Sequence, residues 1–204
     1  MTDNTVFVVD DDEAVRKGLT FLLRAAGHAV ETFASADAFL ASYDPARPGC
    51  LLLDIRMPQM NGLDLQQELT ARAWTVPTIF ITGHGTVPIA IAAMKAGAFD
   101  FIEKPLRDDA LLESVDRALR WAEATREDRL QLAELKTRAA LLTAREREVL
   151  DRVAKGEPNK IIARALGISV RTVEIHRSHI LEKMAARTIS ELIRMAVLLE
   201  QDGP

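Results

Sequence analysis

Four short apolar runs, each ending on polar or charged residues, constrain the fold of this chain more than anything else in it: "TVFVVDDDE", "CLLLDIRMP", "TIFITGHG" and "FDFIEKP". A fifth, "AVETF", lacks a charged end. Between them, apolar residues recur at helical spacing: Val15, Leu19, Leu22 and Leu23, then Phe39 and Leu40 behind Ser35, then Leu65 and Leu69. Pro88 and Gly97 bracket a fourth helix by the usual asymmetry of helix starts and ends, and Leu112, Val115 and Leu119 mark a fifth. Alternating strands and helices predict five βα units around a parallel sheet over residues 1–122. Asp10, Asp11, Asp54, Thr82 and Lys104 then meet at the carboxyl edge of that sheet, where open α/β sheets bind ligands. Three carboxylates drawn together repel one another unless a cation sits among them, and all-oxygen ligation suits Mg2+.

The rest of the chain has a different character. Residues 123–141 lack Gly and Pro and mix charges with many alanines, which predicts a helical linker prolonging the fifth helix. Its leucines, Leu130, Leu132 and Leu135, keep no clean heptad, so a solvated surface helix is expected. Over 142–204 four short helical patterns follow. Thr143 with Glu146 and Thr188 with Glu191 fit capping boxes, Gly156 and Gly167 fit helix ends, and Ser169 fits an N-cap. The middle two, from about Asn159 to Leu166 and Val170 to Ala185, are separated only by "GIS", a helix-turn-helix signal.

Charge and composition limit the function classes. Residues 1–122 carry 17 acidic and 11 basic side chains, whereas 143–204 carry 9 and 11, so a nucleic-acid role must rest on motifs and not on bulk charge. No apolar stretch approaches a membrane span and the amino terminus lacks a signal-peptide layout, so a cytoplasmic protein is expected. The single cysteine, Cys50, opens an apolar run and reads as a small buried hydrophobe.

The phrases "VDDDEAVRKGL", "DIRMPQMNGL", "ITGHGTVPIAIAAMKAGAFDFIEKP", "LTAREREVL", "NKIIA" and "RTVEIHRSHILEKM" resemble a two-component response regulator: a receiver joined to a LuxR-type DNA-binding domain, of the FixJ subfamily in particular. The resemblance covers nearly the whole chain and implies a flavodoxin-like (βα)5 receiver with a five-stranded sheet, then an all-α four-helix domain. It makes Asp54 the acceptor of a phosphoryl group from a histidine kinase, with Mg2+ held by Asp10, Asp11, Asp54 and the backbone carbonyl of Arg56. Lys104 and the metal offset phosphoryl charge, and Asp12 is left to solvent. Thr82 and Phe101 form the switch pair, Phe standing where family members often have Tyr, and Lys104 precedes a cis proline. Arg56 and His84 flank the acceptor and the switch threonine, where they could tune the lifetime of the acyl phosphate.

If the second helix of the pair enters a major groove, Arg171, Glu174, Ile175 and Ser178 lie on one stripe that meets base edges, while Val173, Ile180 and Met184 lie on another. Lys160, Arg177 and Lys183 suit phosphates, and Thr172 or His176 can add a hydrogen bond at the backbone. Glu174 can accept from cytosine N4. Dimerisation through the closing helix is implied by the resemblance, and a receiver contact through Ile91 and Lys95 is expected once Asp54 is modified. The expected whole is a phosphorylation-controlled transcription regulator, an activator by family default with RNA polymerase as a further partner. It catalyses only its own phosphorylation and slow dephosphorylation. Two alternatives stand beside it: an adaptor whose carboxyl domain binds protein, and an aspartate-nucleophile phosphatase built on the DxD of Asp10 and Asp12.

Overall fold

A computed structural model describes residues 4–83 and 87–201. By contacts the chain forms two compact units, Met1–Arg126 and Glu127–Pro204.

The first unit is a five-stranded, all-parallel sheet in the order β2-β1-β3-β4-β5. Its strands are β1 (Thr5–Val9), β2 (Ala29–Phe33), β3 (Gly49–Asp54), β4 (Thr78–Thr82) and β5 (Asp100–Glu103). Side chains alternate across the sheet, as the pleat requires. Phe7, Val9, Leu51, Leu53 and Phe80 meet α2 (Ala36–Ser42), α3 (Gly62–Ala71) and α4 (Val87–Lys95) through Phe39, Leu65, Leu69 and Ala93. Val6, Val8, Leu52, Ile79 and Ile81 meet α1 (Glu13–Ala25) and the start of α5 (Asp108–Ala140) through Leu19, Leu23, Leu111 and Val115. Burial on both faces explains why β1, β3 and β4 read as continuous apolar runs. Each fully buried Leu or Phe contributes about 1.5–3 kcal/mol, and the strands between the two layers are thereby fixed in register. Cys50 is buried in the second layer, which pushes its thiol pKa up, so it is an inert core residue.

Caps set where the helices begin. Ser35 caps α2 and Asn61 caps α3, with Asn61 Oδ1 accepting from the amides of Leu63 and Asp64 at 2.9 and 3.0 Å. Asp12, expected to be merely solvated, is exposed but caps α1, accepting from Ala14 N at 2.8 Å and Val15 N at 3.4 Å.

The second unit holds α6 (Ala144–Ala154), α7 (Asn159–Leu166), α8 (Val170–Met184) and α9 (Ile189–Gln201). The fifth helix, α5, does run on through the expected linker to Ala140, but its last turns are not a bare solvated surface. Leu135 is 7% exposed and lies with Val149, Ile162, Val173, Ile180 and Leu192 in this unit's core, with Ala139 packed against it. Most of the expected linker, 123–141, thus belongs to the second unit, while Leu130 stays exposed. The Thr143–Glu146 capping box is complete, and Ser169 caps α8. At Thr188 only half of the box forms: Thr188 Oγ accepts from Glu191 N at 3.2 Å, but Glu191 turns its carboxylate to the amide of Arg187 at 2.8 Å. Among the described residues no helix is long and apolar enough to cross a membrane.

Candidate functional site

Parallel strands end on one edge, and register determines which residues meet there. Asp10 follows β1, Asp54 closes β3, Thr82 closes β4 opposite Glu103, and Lys104 follows β5. Lys104 is drawn in by a bond from its amide to the carbonyl of Thr82 at 2.8 Å and continues through a cis peptide to Pro105. Its Nζ donates to Asp54 Oδ1 at 3.0 Å and to Asp10 Oδ2 at 3.1 Å, joining residues 50 and 94 positions away. The remaining carboxylate oxygens are held by backbone. Asp54 Oδ2 accepts from Arg56 N at 2.7 Å and Asp10 Oδ1 from Asp12 N at 2.8 Å, while Arg16 donates to the Asp10 carbonyl at 2.7 Å. Behind Asp54 the chain approaches so closely that a Cβ on Gly62 would lie 2.4 Å from the Asp54 carbonyl oxygen.

The charges in this cluster do not balance. Asp10 and Asp54 are buried and share one ammonium. Burial pushes the Asp10 pKa up, and the bonds from Asp12 N and Lys104 do not offset it, with Asp54 adding repulsion. For Lys104 burial acts downward, yet its hydrogen bonds to Asp54 and Asp10 prevail and hold its pKa above the ordinary value. Lys104 is therefore better served than Asp10. Asp11 does not join them: it stays exposed at the rim of a hollow of about 540 Å³ with Arg56, Met57 and Asn61. The three carboxylates expected to gather are thus two plus one at the edge, and among the described residues no group of three His, Cys, Asp or Glu side chains converges as a metal site would. An all-oxygen donor set with an uncompensated negative charge nonetheless fits a hard divalent cation.

Thr82 is 1% exposed at the end of β4, and Phe101 is half-buried against the first core layer. Ile91 and Lys95 are exposed on α4, as is Met94. Arg56 is exposed, and His84 lies outside the described residues. Asp12 turns its carboxylate to the α1 amides.

The second unit presents a different surface. Along α8, Arg171, Glu174, Ile175 and Ser178 are exposed, while Val173, Ile180 and Met184 are buried, so the two stripes separate as their spacing requires. Lys160 is exposed on α7, and Gly167 with φ 66° makes the turn between the two helices. Two of the cations expected on phosphates are engaged inside the unit: Arg177 donates to Asn159 Oδ1, and Lys183 Nζ donates to Glu146 Oε2 at 2.7 Å. Thr172 is half-buried with its hydroxyl 2.8 Å from that of Ser169. His176 is half-buried, and its Nδ1 has no hydrogen-bond partner among the described residues. Sequence reasoning found Glu146 only as a cap; its bond to Lys183 spans 37 residues and has no local signal.

Comparison with known proteins agrees with this division. The response regulator receiver domain family matches residues 6–116, and the luxR family of bacterial regulatory proteins matches 140–196. The transcriptional regulatory protein FixJ of Rhizobium meliloti (strain 1021) is 47% identical over 197 residues, covering 97% of each chain. The response regulator protein TmoT of Ectopseudomonas mendocina is 42% identical over 97% of this chain and 90% of its own. The solved structure of the response regulator StyR superposes with a TM-score of 0.84 at 44% identity, covering 96% of this chain and 98% of that one. With likeness of this degree running through both units, the chain belongs to the FixJ-type response regulators, a receiver domain followed by a LuxR-type helix-turn-helix domain.

Proposed function

We propose that this protein is a cytoplasmic, DNA-binding transcription regulator that accepts a phosphoryl group on Asp54 from a cognate histidine kinase. The observation that supports this most is the convergence of Asp54, Asp10 and Lys104 at the carboxyl edge of the sheet, in a cluster short of positive charge. An Asp54 oxygen forms the new bond to phosphorus as the donor's P–N bond breaks and the imidazole leaves. Lys104 supplies a fixed ammonium for the phosphoryl oxygens. Asp10, Asp11, Asp54 and the carbonyl of Arg56 would hold Mg2+, whose contribution is to neutralise the charge gathered there. Apart from its own phosphorylation and slow dephosphorylation, the chain performs no catalysis on this reading.

The new dianion offers Thr82 a strong acceptor, and movement of its hydroxyl makes room for Phe101, now half-buried on the neighbouring strand opposite Phe80, to turn inward. The altered α4 face, with Ile91 and Lys95 exposed, then pairs with a second copy, and two LuxR-type domains grip two half-sites of a promoter duplex. Arg171, Glu174, Ile175 and Ser178 read base edges; Lys160 meets a phosphate; Thr172 and His176 stand where they can support the backbone contact. Transcription is raised, through RNA polymerase.

The test compares wild type with Asp54→Ala after treatment with acetyl phosphate and Mg2+. Intact mass and binding to promoter-length duplex are followed together. Wild type gains one phosphoryl group and binds more tightly, and the variant does neither. A phosphorylated Asp54→Ala chain would end the assignment.

A further inference from the structure

Glu146 is 3% exposed, yet it carries a charge. A carboxylate so covered is tolerated only when donors surround it. Two come from its own capping box: Thr143 N at 2.8 Å and Thr143 Oγ at 3.0 Å, both to Oε2. These alone would satisfy a helix start. The same oxygen accepts a third bond, from Lys183 Nζ at 2.7 Å, and His179 Nδ1 lies 3.8 Å from Oε1. Lys183 and His179 both belong to the second half of α8, the helix that carries the exposed stripe. The first turn of α6 is thereby tied to the last turn of α8. One residue further on, Arg138 of α5 donates to the carbonyl of Met184 at 3.3 Å, so the end of α8 is held from a second helix.

We infer that Glu146 is a positioning residue for the DNA-reading helix, and that Lys183 gives its ammonium to Glu146 and not to a DNA phosphate. The inference rests on the reading of α8 as the helix that meets DNA. A lysine free to roam would gain little from one more exposed contact. Leaving Glu146 to make that contact would take the counter-charge from a covered anion, which costs more. The clamp therefore survives on DNA and fixes the rotation of α8, which decides whether Arg171, Glu174 and Ile175 face the bases. It also lowers the number of phosphates the domain neutralises: Lys160 and Arg171 remain exposed, whereas Arg177 is bound to Asn159 and Lys183 to Glu146.

Salt dependence separates the two roles, because each neutralised phosphate adds about 0.9 to the slope of log K against log salt. The full chain, treated with acetyl phosphate and Mg2+, is titrated onto a fluorescent random-sequence duplex over a series of NaCl concentrations. Lys160→Met, which removes one phosphate contact from each protomer of the dimer, lowers the slope by about 1.8. Lys183→Met weakens binding about tenfold, the order of one lost interaction, but keeps the wild-type slope, and Lys183→Arg restores the affinity. Glu146→Gln weakens binding to a similar degree, and the double variant is no weaker than either single one, as expected when both remove the same contact. A slope that falls for Lys183→Met as it does for Lys160→Met, or losses that multiply in the double variant, would overturn the clamp. Were wild type to bind no duplex at all, the DNA reading would fall. The same cycle followed by urea unfolding of the second unit would still decide whether Glu146 and Lys183 are coupled.

Discussion

Asp10 and Glu146 are each 3% exposed, one in either unit, and their pKa values move in opposite directions. Burial raises Asp10, and one shared lysine cannot bring it back. Glu146 is lowered to about 2, first by the bond from Lys183 and then by the amide and hydroxyl of Thr143. Equally low exposure therefore does not mean equal purpose: Asp10 lies deeper, so burial weighs most on it, whereas the partners of Glu146 outweigh burial. An anion whose partners exceed its need is a piece of architecture; an anion left short of positive charge marks a place where a cation or a reaction belongs. In the receiver unit the fold tolerates the imbalance because β1, β3 and β5 are fixed by two core layers, and the strand ends have no freedom to separate.

The largest effect should come from attacking that rigidity directly. Gly62→Ala places a methyl 2.4 Å from the Asp54 carbonyl, a backbone atom that cannot swing away. The loop after β3 must shift, at a cost of about 3 kcal/mol or more, in the range of severe steric substitutions. Thermal unfolding should reveal the loss in the first unit, and Asp54 phosphorylation should fall with it. A variant as stable as wild type would mean that the close approach does not hold the acceptor. Next in size is Leu135→Ala, which removes a side chain from the second unit's core and should cost that unit about 2–4 kcal/mol. Urea unfolding followed by hydrogen exchange would locate the loss. A neutral outcome would return this stretch of α5 to the solvated linker that its composition suggests.

Titration tests the two carboxylates together. Because the folded pKa of Glu146 is depressed from 4.5 to about 2, its contribution is present above about pH 4.5 and is lost as pH falls toward 2. The Asp10 shift has the other sign. Its charge disfavours the first unit at neutral pH, and that penalty is relieved as pH drops through the raised value toward 3.8. As pH falls toward 3.8 the first unit should gain stability, whereas the second should weaken once pH drops below about 4.5. Asp10→Asn should imitate the gain and Glu146→Gln the loss. Melting curves that move in the same direction for both variants would erase the contrast.

How much of this was legible in the sequence depends on the reach of each signal. Period and punctuation act within a few residues, so the strands, Ser35, the Thr143 box, Gly167 and the division of α8 into buried and exposed stripes were all readable. Strand ends in a parallel sheet share an edge by topology, and so Asp10, Asp54, Thr82 and Lys104 could be grouped before their distances were known. What escaped were choices between partners. Asp12 could face solvent or cap α1, Lys183 could face phosphate or Glu146, and Leu135 could lie on a surface or in a core; each is decided by a neighbour distant in sequence or by the rotation of a helix. The half-formed box at Thr188 fails for a local reason that propensity does not carry: the amide of Arg187 competes for the same carboxylate.

The smallest effect probes the end of α8, which stops at Ala185 in the left-handed region with φ 53°, whereas α7 stops at Gly167 with φ 66°. An L-residue pays about 1–2 kcal/mol there and glycine does not, although glycine gives back part of the gain through its freer unfolded chain. Ala185→Gly should therefore stabilise the second unit by about 0.5–1 kcal/mol. Its bearing on the comparison lies in DNA affinity. If Glu146 and Arg138 hold the last turn of α8 from outside, relieving strain one residue beyond Met184 leaves the helix where it was, and affinity for duplex stays within twofold of wild type. If the backbone of Ala185 itself set the seat of the helix, the extra freedom would loosen it. The variant would then melt higher yet bind duplex more weakly, and the anchoring role would pass from the carboxylate to the turn.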